Sequence, residues 1–349
     1  MTIVSPTPPP ATSTDVRPGA PTAPAAAPLG PAVVAVVIPG QFVGQLRALV
    51  GAETQVVDVL GGDPLPPVES GAGPVMTLVM PWSLKGSPPA ALAALAAVER
   101  AQWVHFVSAG VDGFPLDRLA GRTVTCGRGA NSAAIAELTV GLLLAAEKRM
   151  PDIWEAETNE PFFTAPLGSL VGRTVGLLGF GSIARELAPR LHGFGTRQLA
   201  LRRSGRPADV PGVTVVRTLP ELLGETDHLV VAAPLTPETD RLLDDAAFAV
   251  ARPGLHLVNV ARGRIVDTDA LVRALAAGTV TRASLDVTDP EPLPADHPLR
   301  RDPRVRIMPH LSWSAPGGLN AGLTVFVDNL RRWRAGEPLH GAVDLTAGY

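Results

Sequence analysis

Along this chain, short apolar runs rich in β-branched residues alternate with longer segments whose apolar positions return every three or four residues. Ala32 to Ile38, Gln55 to Leu60, Val75 to Met80, Trp103 to Val107 and Thr123 to Cys126 are predicted strands, and Gln41 to Val50 and Pro89 to Arg100 are predicted helices between them. The runs read as strands buried on both faces, which predicts a parallel, doubly wound α/β unit. Asn131 to Met150 follows, with Ile135, Leu138, Leu142 and Leu143 at helical intervals, and reads as a helix linking two domains. A second alternating series comprises Thr174 to Leu178, Gln198 to Leu201, Val213 to Val216, His228 to Ala232, Leu255 to Val260, Ala283 to Val287 and Val305 to Met308. Seven such strands suffice for a complete Rossmann-type sheet. The helical stretch Gly322 to Trp333 is too short for a third domain and is expected to pack back onto the first unit. The expected architecture is α/β with two doubly wound domains. A Rossmann-type domain (residues 136–314) is inserted in a flavodoxin-like one (residues 31–135 and 315–349), behind a leader over residues 1–30.

Composition narrows the class of function. The 349 residues are 46% hydrophobic and 18% charged, which is globular, and the net charge of -3 lacks the basic excess that nucleic acid or an anionic membrane would attract. Small-molecule chemistry is then the default. The lone cysteine, Cys126, ends a β-branched run and is expected to be a buried small hydrophobe in a reducing cytoplasm. Neither a membrane span nor a signal peptide is supported. The leader, rich in Pro, Ala and Thr, is expected to be disordered, because it has too little apolar surface to offset the entropy of ordering.

Candidate chemistry is concentrated in the second series. Gly179-Phe180-Gly181-Ser182-Ile183-Ala184 stands directly after one predicted strand and before a helical segment ending near Leu191. In that context a glycine turn cradles the diphosphate of a dinucleotide: Gly179 permits the tight turn, Gly181 lets the backbone approach, and Ala184 allows close helix-to-strand packing. The next strand ends in Arg202-Arg203-Ser204 instead of an acidic residue. Two guanidinium groups and a hydroxyl suit a ribose 2′-phosphate, with no carboxylate there to repel it, so NADP(H) is expected in preference to NAD(H). A solvated strand end is the plain alternative. Arg262, Glu291 and His310 each follow a predicted strand within a few residues. An arginine to grip a carboxylate, and a histidine backed by a glutamate to move a proton, point to hydride transfer on a 2-oxo or 2-hydroxy acid.

The runs LVGRTVGLLGFGSIA from Leu170, APLTPET from Ala233, VNVARGRIVD from Val258, ASLDVTDPEP from Ala283 and MPHLSWS from Met308 carry a resemblance in order and spacing. The chain resembles the D-isomer-specific 2-hydroxyacid dehydrogenase family over nearly its whole length after the leader. The resemblance implies that Arg262 binds the substrate, that His310 is the general acid/base, and that Glu291 orients the imidazole and stabilises its protonated form. It implies that Pro234, Ala261 and Asp286 line the cofactor, Asp286 on the nicotinamide side. Ser108 to Asp112 is similar to the family's substrate loop, where backbone N–H groups of Ala109, Gly110 and Val111 would receive the carboxylate, although a plain turn explains it almost equally well. Trp313 and Ser314 depart from the small residues the family often carries, and His228 and His256, in predicted strands, are assigned to packing or the surface. No metal is expected. With the basic strand end, the expected protein is an NADP(H)-preferring 2-oxo acid reductase, and the resemblance implies a homodimer with the helix Asn131 to Met150 as its contact. A formate or phosphite dehydrogenase relative and a dinucleotide-sensing corepressor-like assembly protein stay open as alternatives.

Overall fold

All twelve predicted strands form, and they sort into two parallel sheets. The computed structural model describes residues 33–65, 75–80, 88–150, 153, 166–316 and 318–349; the leader lies outside the described residues. In the first sheet, β1 (Val33–Val37), β2 (Gln55–Asp58), β3 (Val75–Val79), β4 (Trp103–Phe106) and β5 (Thr123–Cys126) stand in the order β2-β1-β3-β4-β5, which is flavodoxin-like. The second contains β6 (Thr174–Leu178), β7 (Arg197–Leu201), β8 (Val213–Val216), β9 (His228–Val231), β10 (Leu255–Asn259), β11 (Val280–Leu285) and β12 (Val305–Ile307), in the order β12-β11-β10-β9-β6-β7-β8. Sheet growth reverses between β6 and β9, and in such sheets the crevice beyond the strand ends at that reversal is where ligands bind.

The helices are α1 (Gly40–Val50), α2 (Pro88–Arg100), α3 (Ser132–Glu147), α4 (Ser182–His192), α5 (Leu219–Glu225), α6 (Asp245–Ala249), α7 (Thr268–Ala277) and α8 (Gly318–Ala335). Helix α8 does return to the first sheet: Leu323, Phe326, Leu330 and Trp333 share a core with Val34, Met76 and Trp103. The Trp103 indole stacks on Phe326 and Trp333 at centroid distances of 5.3 and 5.5 Å. Beyond α8, Ala342 bridges to Thr125 of β5. Helix α3 lies on the second sheet's side, where Ala136 and Leu143 pack with Ala184, Leu187 and Leu191 of α4. Strand β11 begins three residues before its expected start, because an irregular register beside Leu255 lets Val280 join the ladder. Its end at Leu285 leaves Asp286 just past the sheet. Cys126 is fully buried.

His228 and His256 are both buried and belong to a polar row that starts at Glu147, itself paired with Arg173 at 3.1 Å. Glu147 at the end of α3 lies 3.0 Å from His228 Nε2, His228 Nδ1 lies 3.1 Å from His256 Nδ1, and His256 Nε2 lies 3.0 Å from the Ser284 hydroxyl. Burial pushes His256 down to about 3, helped by the nearby His228 and Arg282. Burial alone does the same to His105 in β4, also to about 3. The unfolded chain, with ordinary histidines, therefore binds protons that the folded chain refuses. The stability this confers is complete above the unfolded value of 6.5 and is lost as pH falls from 6.5 towards 3. Between pH 7 and pH 5 each of these histidines is expected to cost about 2 kcal/mol. Urea unfolding followed across that range should show a steadily falling midpoint, and a flat profile would contradict the assignment.

Candidate active site

The C-terminal ends of β10, β11 and β12 are neighbours, and their ladder continues past the strands. Asp286 N–H donates to the Asn259 carbonyl at 2.9 Å, and His310 N–H donates to the Asp286 carbonyl at 3.0 Å. Adjacent parallel strands lie about 4.8 Å apart, so the segments bearing Arg262 and His310 are about 10 Å from one another at their roots. Arg262 follows β10 by three residues, and Asn259 fixes that turn: its side-chain amide donates to the Arg262 carbonyl (2.9 Å) and its Oδ1 accepts from Ala261 N–H (3.1 Å). Asn259 is 1% exposed and holds the arginine's backbone, a role the sequence reading did not assign.

The Arg262 side chain crosses to the first unit. Its Nε donates to both carboxylate oxygens of Asp112 at 3.0 and 2.9 Å, and Nη1 donates to the Ala261 carbonyl at 2.8 Å. Its Nη2 lies over Gly110, so close that a Cβ at that position would collide with the guanidinium. Among the described residues, neither the Gly110 nor the Val111 backbone N–H has a hydrogen-bond acceptor. The loop expected to receive a carboxylate thus stands against the arginine expected to grip it. Ser108 Oγ ties this loop to itself through the Gly110 carbonyl at 2.6 Å.

His310 Nδ1 lies 2.7 Å from Glu291 Oε1. The carboxylate can only accept, so Nδ1 carries a hydrogen and Nε2 is the nitrogen whose proton can come and go. His310 holds a left-handed backbone, φ +55°, and the segment around it is pinned from several directions. The Trp313 indole N–H donates to the His310 carbonyl at 2.8 Å. Asp286, expected beside the nicotinamide, is 1% exposed, and its Oδ1 accepts N–H from Leu311 (2.8 Å) and Ser312 (3.2 Å) while Oδ2 accepts from Ser312 (3.1 Å). Its visible work is to hold the His310 segment in place. Trp313 likewise holds backbone.

The dinucleotide turn fits its expected guest. Gly179, with φ +97°, sits so close to the end of β9 that a Cβ would come within 2.7 Å of the Ala233 nitrogen, at the reversal point of the sheet. Beside Gly181 there is open space, and α4 has no side-chain cap, whereas α5, α6 and α7 are capped by Thr218, Asp244 and Asp267. An uncapped helix start beside an open glycine is what a diphosphate requires. Phe180 is buried, Ala184 is fully buried against the sheet, and Ser182 and Ile183 are half-buried at the helix start. Pro234 is exposed at the mouth, its carbonyl accepting from Thr239 Oγ1 at 2.7 Å, and Ala261 is buried behind Arg262.

At the end of β7, Arg202 lies over the Phe180 ring at 5.9 Å, and Arg203 and Ser204 are exposed. Carboxylates do approach this corner, contrary to the reading of the strand end alone. Asp209 is held below its usual value: burial raises it, but its hydrogen bond with Arg185, joined by the charges of Arg185 and Arg202, prevails. Glu238 is held low by Thr236 first and also feels Arg203. Asp209 stands five residues beyond Ser204 in the same connection and already has its partner in Arg185 at 2.9 Å, whereas Glu238 comes from beyond β9.

The sequence profile described as "D-isomer specific 2-hydroxyacid dehydrogenase, NAD binding domain" matches residues 140–312. A human glyoxylate reductase/hydroxypyruvate reductase is 32% identical over 252 residues, 69% of this chain and 76% of that protein. The chain belongs to the D-isomer specific 2-hydroxyacid dehydrogenase family. A family member from Xanthobacter autotrophicus Py2, solved with NADPH and MES, superposes with a TM-score of 0.77 at 27% identity, covering 92% of this chain and all of that one. A formate dehydrogenase from Granulicella m. gives a TM-score of 0.66 at 27% identity, covering 78% of this chain and 75% of its own. Membership in the 2-hydroxyacid dehydrogenases makes the protein an NAD(P)-dependent oxidoreductase.

Proposed function

We propose that the protein reduces small 2-oxo acids to D-2-hydroxy acids with NADP(H) as the preferred dinucleotide. The observation that carries this is the backbone ladder Asn259–Asp286–His310, which holds the Arg262 turn and the His310–Glu291 pair side by side at the strand ends. Gly179 to Ile183 would hold the diphosphate, and Arg202, Arg203 and Ser204 the adenosine 2′-phosphate. A bound nicotinamide supplies the hydride that forms the new C–H bond at the substrate's carbonyl carbon. Arg262 exchanges part of its contact with Asp112 for the substrate carboxylate, and the Gly110 and Val111 N–H groups complete the grip. Glu291 stabilises the protonated imidazole before transfer; as the carbonyl oxygen gains negative charge, His310 gives it the Nε2 proton, and solvent afterwards returns a proton to the neutral ring. In the oxidative direction the neutral ring takes the hydroxyl proton.

The NADPH complex of the Xanthobacter relative and the arginine pair after β7 support the cofactor preference. The human relative makes glyoxylate and hydroxypyruvate the first substrates to try. In this reading residues 31–135 and 315–349 hold the substrate and 136–314 the dinucleotide, a division that the two separate sheets support. Residues on several sides of α3, including Ile135, Leu138, Leu142 and Leu144, are apolar and only half-buried, which supports a homodimer through this helix. Among the described residues no helix is long and apolar enough to cross a membrane, which is in keeping with a cytoplasmic enzyme. Dinucleotide oxidation followed by absorbance against glyoxylate, hydroxypyruvate, phenylpyruvate and branched 2-oxo acids tests the proposal. The expected result is turnover with NADPH at a higher kcat/KM than with NADH. Tight dinucleotide binding without turnover on any of them would overturn the reductase reading.

A further inference from the structure

We infer that Tyr349 is a positioning residue for the adenosine 2′-phosphate: it carries Arg203 on its ring and ties that arginine to the first unit through Arg128. The inference rests on the NADP(H) reading of the corner after β7. After α8 the chain runs beside β5, where Cys126 N–H donates to the Gly341 carbonyl and Val343 N–H to the Val124 carbonyl, each at 2.9 Å. It then closes on Asp344, whose Oδ1 accepts from Thr346 and Ala347 N–H at 3.0 Å. The Asp344 carbonyl accepts from Gly348 at 2.9 Å, and its N–H donates to the Tyr349 carbonyl at 3.0 Å. This small closed loop, anchored to the first sheet, sets the Tyr349 ring between the units.

The guanidinium of Arg203 lies over that ring, 5.0 Å from its centroid, and the guanidinium of Arg128 lies 5.7 Å from it. Both are within the roughly 6 Å at which an aromatic face attracts a cation. Arg128 precedes Gly129, where a Cβ would lie 3.9 Å from the side chain of Ser182, the first residue of α4, so this loop borders the diphosphate end of the same site. Arg202 rests on Phe180 in the glycine turn, so both arginines of the corner are carried by aromatic rings, one from each unit. A guanidinium seated over a ring keeps its in-plane N–H groups for phosphate oxygens and loses much of the rotamer freedom of a long exposed side chain.

Titration calorimetry on the full chain, with adenosine 2′,5′-bisphosphate and with ADP as ligands, separates this role from a general one. Tyr349→Ala and Tyr349→Leu are expected to weaken the bisphosphate roughly two- to five-fold, the factor that a partly exposed cation–π contact supplies, with ADP unchanged. Tyr349→Phe should match the wild type, because the ring is kept. Arg203→Gln, measured alongside, tests the underlying cofactor reading. If Arg203→Gln weakens the bisphosphate and Tyr349→Leu does not, the ring contributes nothing and the inference falls while the reading stands. If Arg203→Gln has no effect, the reading and the inference fall together. Equal weakening of both ligands by Tyr349→Leu would reveal a merely structural loop and also overturn the inference.

Discussion

Replacing His310 by asparagine lowers kcat for 2-oxo acid reduction by about 10²- to 10⁴-fold, the range that a positioned proton donor supplies. The dinucleotide still binds, because no part of the glycine turn depends on this side chain. Asparagine is the informative replacement, since a polar side chain of similar reach can still meet Glu291 without delivering a proton at neutral pH. The loss should fall on kcat and kcat/KM together, as for an interaction made only in the transition state. Stopped-flow and steady-state assays of dinucleotide oxidation, with dinucleotide affinity measured separately, check both halves. Unchanged kcat would remove His310 from the chemistry and leave its bond to Glu291 at 2.7 Å without a catalytic meaning.

The second large effect is expected at Arg262. Changing it to lysine keeps a charge but loses the planar fork, and lysine cannot both lean on Asp112 and hold a carboxylate in a fixed plane. Two charge-assisted hydrogen bonds at about 1.5–3 kcal/mol each correspond to roughly a 10²- to 10⁴-fold loss of kcat/KM. Much of it should appear in KM, because the arginine meets substrate before the reaction begins. Saturation kinetics with glyoxylate and hydroxypyruvate test this. An unchanged KM would mean that the substrate carboxylate is held elsewhere, with the Arg262–Asp112 pair at 2.9 Å serving only to join the two units.

The strands were legible because parallel strands buried on both faces must be apolar throughout, and runs such as Val33 to Val37 leave little else to be. The glycine turn was legible because its geometry forbids alternatives: a Cβ at Gly179 has nowhere to go. What could not be read is what depends on partners far apart in sequence. Asp112 and Arg262 are separated by 150 positions, and no periodicity connects them. Asn259 and Trp313 act by donating to backbone carbonyls, which any polar or amphipathic side chain could do or fail to do. The carboxylate of Asp286 was assigned by its place in a motif, whereas its contacts are with the N–H groups of Leu311 and Ser312. At the corner after β7 the strand end is basic, but Asp209, five residues further along the same connection, was passed over, and Glu238 arrives from another segment that the local pattern does not include. The helices α5 and α6, at seven and five residues, are too short to show a period.

The row from Glu147 to Ser284 has a direction. Glu147 can only accept, so His228 bears its hydrogen on Nε2 and must accept at Nδ1; His256 then bears its hydrogen on Nδ1 and accepts the Ser284 hydroxyl at Nε2. The two imidazoles are therefore opposite tautomers, and neither can reverse alone without setting two donors or two bare lone pairs against each other. A proton added to either ring would fall on a nitrogen that already accepts a hydrogen bond. The second sheet thus contains a polarised filament that runs inward from the end of α3, and helix and sheet are joined by the orientation of hydrogens as well as by the packing of carbon.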